Sequence, residues 1–376
     1  MKEKSSVMYW GRPERTGSAF DFRSDVVTAP SVSILRAMKH ATLNDDVYGE
    51  DHTTASFEND LATVCGKEAA AFVVTGTMAN QLALRALLDL APPYAVLADA
   101  DSHIIHWEAG GMASLSGAMV QAVRPMNGKY LTLEDIKKHA VLTDDVHKCP
   151  TRVISIENTS SGLIVPLNEL QRIKNWAERN GVRVHIDGAR LWEAVAAAAG
   201  TLCDFASCAD LVTLDFSKNL GAPMGAMVLG CSDDIKRLKR IRKGIGGGMR
   251  QAGVLAAGAR QAVTENFGMQ AVTCSDVLKR THDLARTVAR MWSVRGGRLL
   301  KGVETNMVWV DLKSPGIDVE KWNAKGRKYG ILIDGKRIVV HHQISDTAIT
   351  RLGKVMGEAL ADTEPRKPAS QVLAKI

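Results

Sequence analysis

From about residue 57 to residue 232, apolar runs of strand length alternate with helical patterns, and few architectures accept that order. The runs 70–74, 95–98, 152–157, 183–187, 211–216 and 226–229 read as strands. Between them lie stretches such as 166–180, where Leu167, Leu170, Ile173 and Trp176 keep one helical face apolar. Strands that alternate with amphipathic helices build an α/β layer structure: a mostly parallel sheet with helices on both faces. A long helical region follows at 249–267 and 275–294. The remainder, with strands near 306–312 and 337–342 and helices near 319–328 and 346–361, reads as a smaller α+β domain. The expected division is an irregular N-terminal arm (1–30), a large domain (31–268), a small C-terminal domain (269–363) and a flexible tail (364–376).

The 376 residues suffice for a large core and more than one domain, and 45% hydrophobic with 24% charged residues is the balance of an ordinary globular protein. No apolar stretch approaches a membrane span, and the first twenty residues lack an apolar leader segment, so a cytoplasmic location is expected. Six cysteines without CxxC spacing point to reduced thiols rather than disulfide staples. The net charge of +7 is concentrated in the run from Lys236 to Lys243. Because Ile235, Leu238 and Ile241 recur through that run at helical spacing, it reads as the solvated face of an amphipathic helix, not as a nucleic-acid surface. The terminal Ala374-Lys375-Ile376 resembles a peroxisomal address and leaves that compartment as the alternative.

Two predicted strands end in chemistry. The run at 211–216 leads into Ser217-Lys218, then breaks at Gly221, Pro223 and Gly225, and the run at 183–187 ends in Asp187-Gly188-Ala189-Arg190. In an open α/β sheet, neighbouring strands that each carry a charged residue at the carboxyl end place both in one crevice. An amine opposite a carboxylate is the pair that pyridoxal 5'-phosphate (PLP) requires. The lysine forms a Schiff base with the cofactor aldehyde, and the carboxylate keeps the pyridine nitrogen protonated so that the ring can take up electrons. Alone, Lys218 reads equally as a solvated lysine and Asp187-Gly188 as a turn. A non-enzymatic binding protein has no use for the two together.

Upstream, Thr75-Gly76-Thr77-Met78-Ala79-Asn80 follows a strand and opens a helix. It reads either as a turn capped by threonine or as a phosphate cradle of backbone amides. With these residues in hand, the chain resembles the low-specificity L-threonine aldolases, of the β-eliminating lyase group within fold-type I PLP enzymes. The matching segments are Asp21 to Asp25, Asp45 to Asp51, Thr75 to Asn80, Ser102 to Ile104, Ile156 to Thr159, His185 to Arg190, Ser217 to Gly225 and Gly246 to Gly253.

The resemblance implies an aspartate-aminotransferase-like large domain with a mostly parallel seven-stranded sheet, and a homodimer or homotetramer with shared active sites. It implies that Lys218 carries the cofactor, that Asp187 faces the pyridine nitrogen, and that Gly76 and Thr77 hold the phosphate. Arg250 adds charge there from its own or a neighbouring subunit, Arg190 also lies against the cofactor, and His103 stacks on the ring. Ser24, Arg190 and Arg337 are implied to hold the substrate carboxylate, for which a planar guanidinium is suited. Tyr48 and His147 are implied to line the substrate side chain, with His147 a candidate acid or base.

The implied reaction splits L-threonine-type or L-allo-threonine-type β-hydroxy-α-amino acids into glycine and an aldehyde without a metal. Fungal relatives on the same scaffold racemise an amino acid such as alanine, which would need the same cofactor residues but a different bond to Cα. The sequence departs from the family pattern in a shortened stretch at Ser160-Ser161-Gly162-Leu163, in Asn219 after the lysine, and in His52. These departures bear on the substrate pocket, not on the cofactor residues.

Overall fold

The computed structural model describes residues 17–143, 145–268 and 276–362. A seven-stranded sheet forms its centre, built from β1 (Ala69–Val73), β2 (Ala95–Asp99), β3 (Met119–Val123), β4 (Thr151–Glu157), β5 (Arg183–Gly188), β6 (Leu211–Asp215) and β7 (Ala226–Gly230). Their order across the sheet is β1-β7-β6-β5-β4-β2-β3, and only β7 pairs antiparallel to its neighbours. The six strands read from the sequence are present within a residue or two. The seventh, β3, carries no continuous apolar run because it is the edge strand, with Met119 and Ala122 exposed.

Period-two alternation explains why the sheet is covered on both faces. In β1, Ala70 and Phe72 join one apolar cluster while Ala71 and Val73 join the other. In β7, Met227 and Leu229 point to the first cluster, and Ala226 and Val228 to the second. Helix Leu167–Arg179 buries Leu170, Ile173 and Ala177 in the first layer, close to its predicted bounds. The basic run lies on helix Ser232–Gly244, which buries Ile235 and Leu238 in the second layer and turns most of its lysines outward.

A separate apolar cluster gathers β8 (Met307–Trp309), β9 (Arg337–Val339) and the helices Asp276–Ser293, Val319–Lys328 and Asp346–Ala361. Trp292 and Trp322 meet edge to face at its centre, with ring centroids 5.7 Å apart. Each indole N–H finds a backbone carbonyl, that of Arg298 at 2.8 Å and that of Gly335 at 3.0 Å, so the large rings are buried without an orphaned donor. Phe22, from the irregular segment before residue 30, is fully buried in this cluster. The segment is held there by backbone bonds from the Phe22 amide to the Leu332 carbonyl and from the Val339 amide to the Phe22 carbonyl. Ser24 and Asp25 are thereby fixed between the two cores. The peroxisome-like Ala374-Lys375-Ile376 lies outside the described residues, as does the whole of the predicted tail. Among the described residues no helix is long and apolar enough to cross a membrane.

Candidate functional site

β4, β5 and β6 run parallel, so their carboxyl ends share one edge of the sheet. β1 joins them there, because both β1 and β6 are antiparallel to β7. Above this edge opens a crevice of about 190 Å³, lined by Thr75, Gly76, Thr77, Asn80, His103, Glu157, Thr159, Asp187, Arg190, Asp215 and Lys218 among others. Six residues singled out in the sequence for the cofactor thus meet in one place: Gly76, Thr77, His103, Asp187, Arg190 and Lys218.

Local structure accounts for each position. Thr75 caps helix Gly76–Leu87 by accepting the Met78 amide on its hydroxyl, while its carbonyl takes the Ala79 amide. The amides of Gly76 and Thr77 lie ahead of the first intrahelical bond, at the positive end of the helix. A side chain at position 76 would not fit, since a Cβ there would lie 2.6 Å from Asp215 Oδ2. Asp187 is buried, and its two oxygens accept the Ala189 amide at 3.0 Å and Asn80 Nδ2 at 2.8 Å. Gly188 completes β5 because any Cβ would run into the Thr213 carbonyl of β6. The Lys218 amine projects from the turn after β6 and lies 4.0 Å from Asp215 Oδ2.

The guanidinium of Arg190 is held from one side by Asp25, with Nε to Oδ2 at 2.8 Å and Nη2 to Oδ1 at 2.6 Å. Asn306 Nδ2 donates to the same carboxylate at 3.3 Å. Burial alone would raise the Asp25 pKa, but the Arg190 charge and its hydrogen bonds hold it far below the usual carboxylate range. Ser24 caps the turn that carries Asp25. Arg337, on β9, donates from Nη2 to the Arg23 carbonyl at 3.1 Å, and burial followed by the nearby Arg190 charge lowers its pKa. Arg337 thus lies within electrostatic range of both Arg190 and Asp25.

Glu157 stands beside Asp187 in the β4–β5 register and accepts the His103 amide at 3.1 Å. Burial, then the Asp187 charge, pushes its pKa up to about 7. The His103 imidazole bonds through Nδ1 to Glu108 Oε1 at 2.8 Å, and that bond raises its pKa.

Three expected site residues lie on the surface in the single chain. Tyr48 is 74% exposed, in a turn after Asp45 and Asp46. The Arg250 guanidinium sits 5.8 Å from the Tyr48 ring centre and bonds to Asp45 Oδ2 at 2.6 Å. His147 is almost fully exposed and bonds Asp145 beside it. None of the three lines the crevice.

Other residues lining or backing the crevice carry no role in the sequence reading. Asp25, Asn80 and Glu157 sit inside segments that carry the family resemblance, which was the available signal. Glu108 had only its position five residues after His103. Asp215 was hidden inside an apolar strand.

Comparison with known proteins agrees with this geometry. The sequence pattern of the Beta-eliminating lyase family matches residues 21–315. A protein named alanine racemase TOXG, from Cochliobolus carbonum, is 54% identical over 352 residues, spanning 93% of this chain and 90% of the relative. A low specificity L-threonine aldolase from Saccharomyces cerevisiae is 39% identical over 348 residues, spanning 92% of this chain and 88% of the relative. Among solved structures, the threonine aldolase of Leishmania major shares the fold with a TM-score of 0.76 at 21% identity, covering 91% of this chain and 99% of that one.

Proposed function

The chain belongs to the β-eliminating lyase family, and from that membership we propose that it is a PLP-dependent aldolase cleaving L-threonine-type and L-allo-threonine-type β-hydroxy-α-amino acids to glycine and an aldehyde. The observation that carries this reading is the convergence of Lys218, Asp187 and the Thr75–Thr77 helix start in one crevice, with Arg190 at its side.

The crevice residues fit the cofactor. The helix start offers amides to a phosphate, Asp187 offers a buried carboxylate to a ring nitrogen, and Lys218 offers an amine to an aldehyde. Two buried polar atoms lining the crevice, Asn80 Oδ1 and Thr159 Oγ1, have no hydrogen-bond partner among the described residues, as suits a site built around a polar group. When bound, PLP supplies an electron sink for the carbanion left when a bond to Cα breaks.

The chain's own residues do the rest. Gly76 and Thr77 bind the phosphate, and Asp187, steadied by Asn80 and the Ala189 amide, holds a proton on the ring nitrogen. Arg190, with Ser24 and Arg337, binds the substrate carboxylate. Because Asp25 fixes the plane of Arg190, this clamp selects which bond to Cα stands where it can break. Cleavage between Cα and Cβ further requires a group to take the β-hydroxyl proton, and the His103 ring keeps one nitrogen, Nε2, for that purpose.

Arg250 and Tyr48, exposed together, serve a neighbouring copy's site in a homo-oligomer on this reading. A second reading, amino-acid racemisation, is favoured by the 54% identity to the protein named alanine racemase. It would use the same crevice with Cα–H broken instead.

Borohydride reduction of the cofactor-loaded protein tests the cofactor assignment. A pyridoxyl mass should appear on the peptide containing Lys218, and Lys218→Ala should lose both visible absorbance and aldehyde release from L-threonine. A label on another lysine would move the site.

A further inference from the structure

Behind the crevice lies a buried polar cluster centred on Glu108. Glu108 follows the short helix His103–His106, and its side chain is fully buried. It accepts three hydrogen bonds: from Gln81 Nε2 at 2.6 Å, from His103 Nδ1 at 2.8 Å and from Asn80 Nδ2 at 2.9 Å. A buried carboxylate with no adjacent arginine or lysine among the described residues needs that many donors to remain in place. The approach is close enough that a Cβ on Gly111 would lie 2.5 Å from the Gln81 side chain.

Asn80 does more than support Glu108. The same Nδ2 that reaches Glu108 also reaches Asp187 Oδ2 at 2.8 Å, so the two hydrogens of one amide span two carboxylates. Turning the amide over would point its oxygen at both, which fixes its orientation.

We propose that Glu108 is a positioning residue: it fixes the tautomer and the plane of the His103 imidazole and, through Asn80, ties that ring to the Asp187 carboxylate. A carboxylate can only accept, so the nitrogen facing it must carry the hydrogen. In neutral His103 the proton therefore sits on Nδ1, and Nε2 keeps its lone pair. The histidine at the crevice is thus set as an acceptor at Nε2 when neutral and as a donor there when protonated. A single buried amide keeps its distance to Asp187 constant.

The charged groups facing His103 pull in both directions, with the carboxylates dominant. Besides Glu108, Asp187 from β5 favours its protonated form, the Lys218 amine after β6 opposes it, and Glu157 from β4 holds its backbone amide. The Glu108 bond is the largest of these influences. For its catalytic consequence the inference rests on the PLP reading, but the tautomer itself does not.

The test is nitrogen NMR of the full-length, PLP-loaded enzyme labelled at histidine, with His103→Asn to assign the signal. Wild-type His103, once neutral, should be the Nδ1–H tautomer. In Glu108→Gln its titration midpoint should move down, and the acid limb of the pH–rate profile should move with it. A neutral wild-type His103 in the Nε2–H form overturns the proposal, as does an unmoved or raised midpoint in Glu108→Gln. Should that variant not fold, the wild-type tautomer alone decides. A correct tautomer in a protein that releases no aldehyde would leave this inference standing and remove the aldolase reading instead.

Discussion

Replacing Asp25 by asparagine separates two effects of one buried ion pair. Asp25 is fully buried and binds Arg190 through two short charge-assisted bonds, with longer bonds from Asn306 Nδ2 at 3.3 Å and the Ser24 hydroxyl at 3.4 Å. Removing one partner of a buried pair costs about 3–5 kcal/mol, because the other charge is left uncompensated. Arg190 reaches the crevice, where water can reach it, which places the loss near the lower end, about 3 kcal/mol. With a denaturant dependence of roughly 3 kcal/mol per molar urea for a large unfolding unit, the urea midpoint should fall by about 1 M.

The same substitution frees the guanidinium to rotate. The KM for any amino-acid substrate should then rise by about tenfold or more, tenfold corresponding to about 1.4 kcal/mol. Because the folded-state pKa of Asp25 is depressed, its stabilisation is complete above the ordinary carboxylate range and is lost as pH falls below about 4. The gap between wild type and variant should close in that acid window. Urea titrations of the cofactor-free protein followed by tryptophan fluorescence, with steady-state kinetics of the loaded enzyme, measure both effects. A midpoint within about 0.2 M of wild type, together with an unchanged KM, would refute the clamp.

Glu157→Gln should flatten the pH dependence of stability. The folded-state pKa of Glu157 is raised to about 7, so wild-type stability should fall as pH climbs from the normal carboxylate range towards 7, and a difference in denaturation midpoint between wild type and variant that is the same at pH 5 and pH 8 would exclude that. Phe22→Ala removes a fully buried ring from the second core, a loss of about 3–5 kcal/mol. Hydrogen exchange should then quicken first in β8 and β9, and KM should rise because Ser24 and Asp25 follow directly in the chain; unchanged protection would detach the N-terminal segment from that core. Mixing inactive Lys218→Ala with inactive Arg250→Ala chains should restore partial activity if Arg250 serves a neighbouring site. Confirmed hybrids without activity would keep it in its own subunit.

How much of this was legible beforehand follows from the range of the interactions involved. The strands that carry Asp187 and Lys218 could be read because each is an uninterrupted buried run with a polar terminus, a purely local signal. The run from Lys236 to Lys243 was legible for the same reason, since the period of its isoleucines and leucine decides which face is buried. β3 was missed because an edge strand needs no apolar continuity. Asp25 acquires its meaning only from Arg190, far along the chain, and Glu108 only from two side chains on another helix. No local pattern announces a partner brought in by tertiary folding. Tyr48, Arg250 and His147 mark a further boundary: their expected roles came from resemblance, and a single chain leaves them outside the crevice.

Whether this crevice breaks Cα–Cβ can be measured outright by incubating the PLP-loaded protein separately with L-threonine, L-allo-threonine and L-alanine and quantifying aldehyde, glycine and D-alanine. Equimolar aldehyde and glycine should form from the hydroxy amino acids, with no comparable turnover of L-alanine. D-alanine formed at a substantial rate, with no aldehyde from either threonine, would contradict Cα–Cβ cleavage.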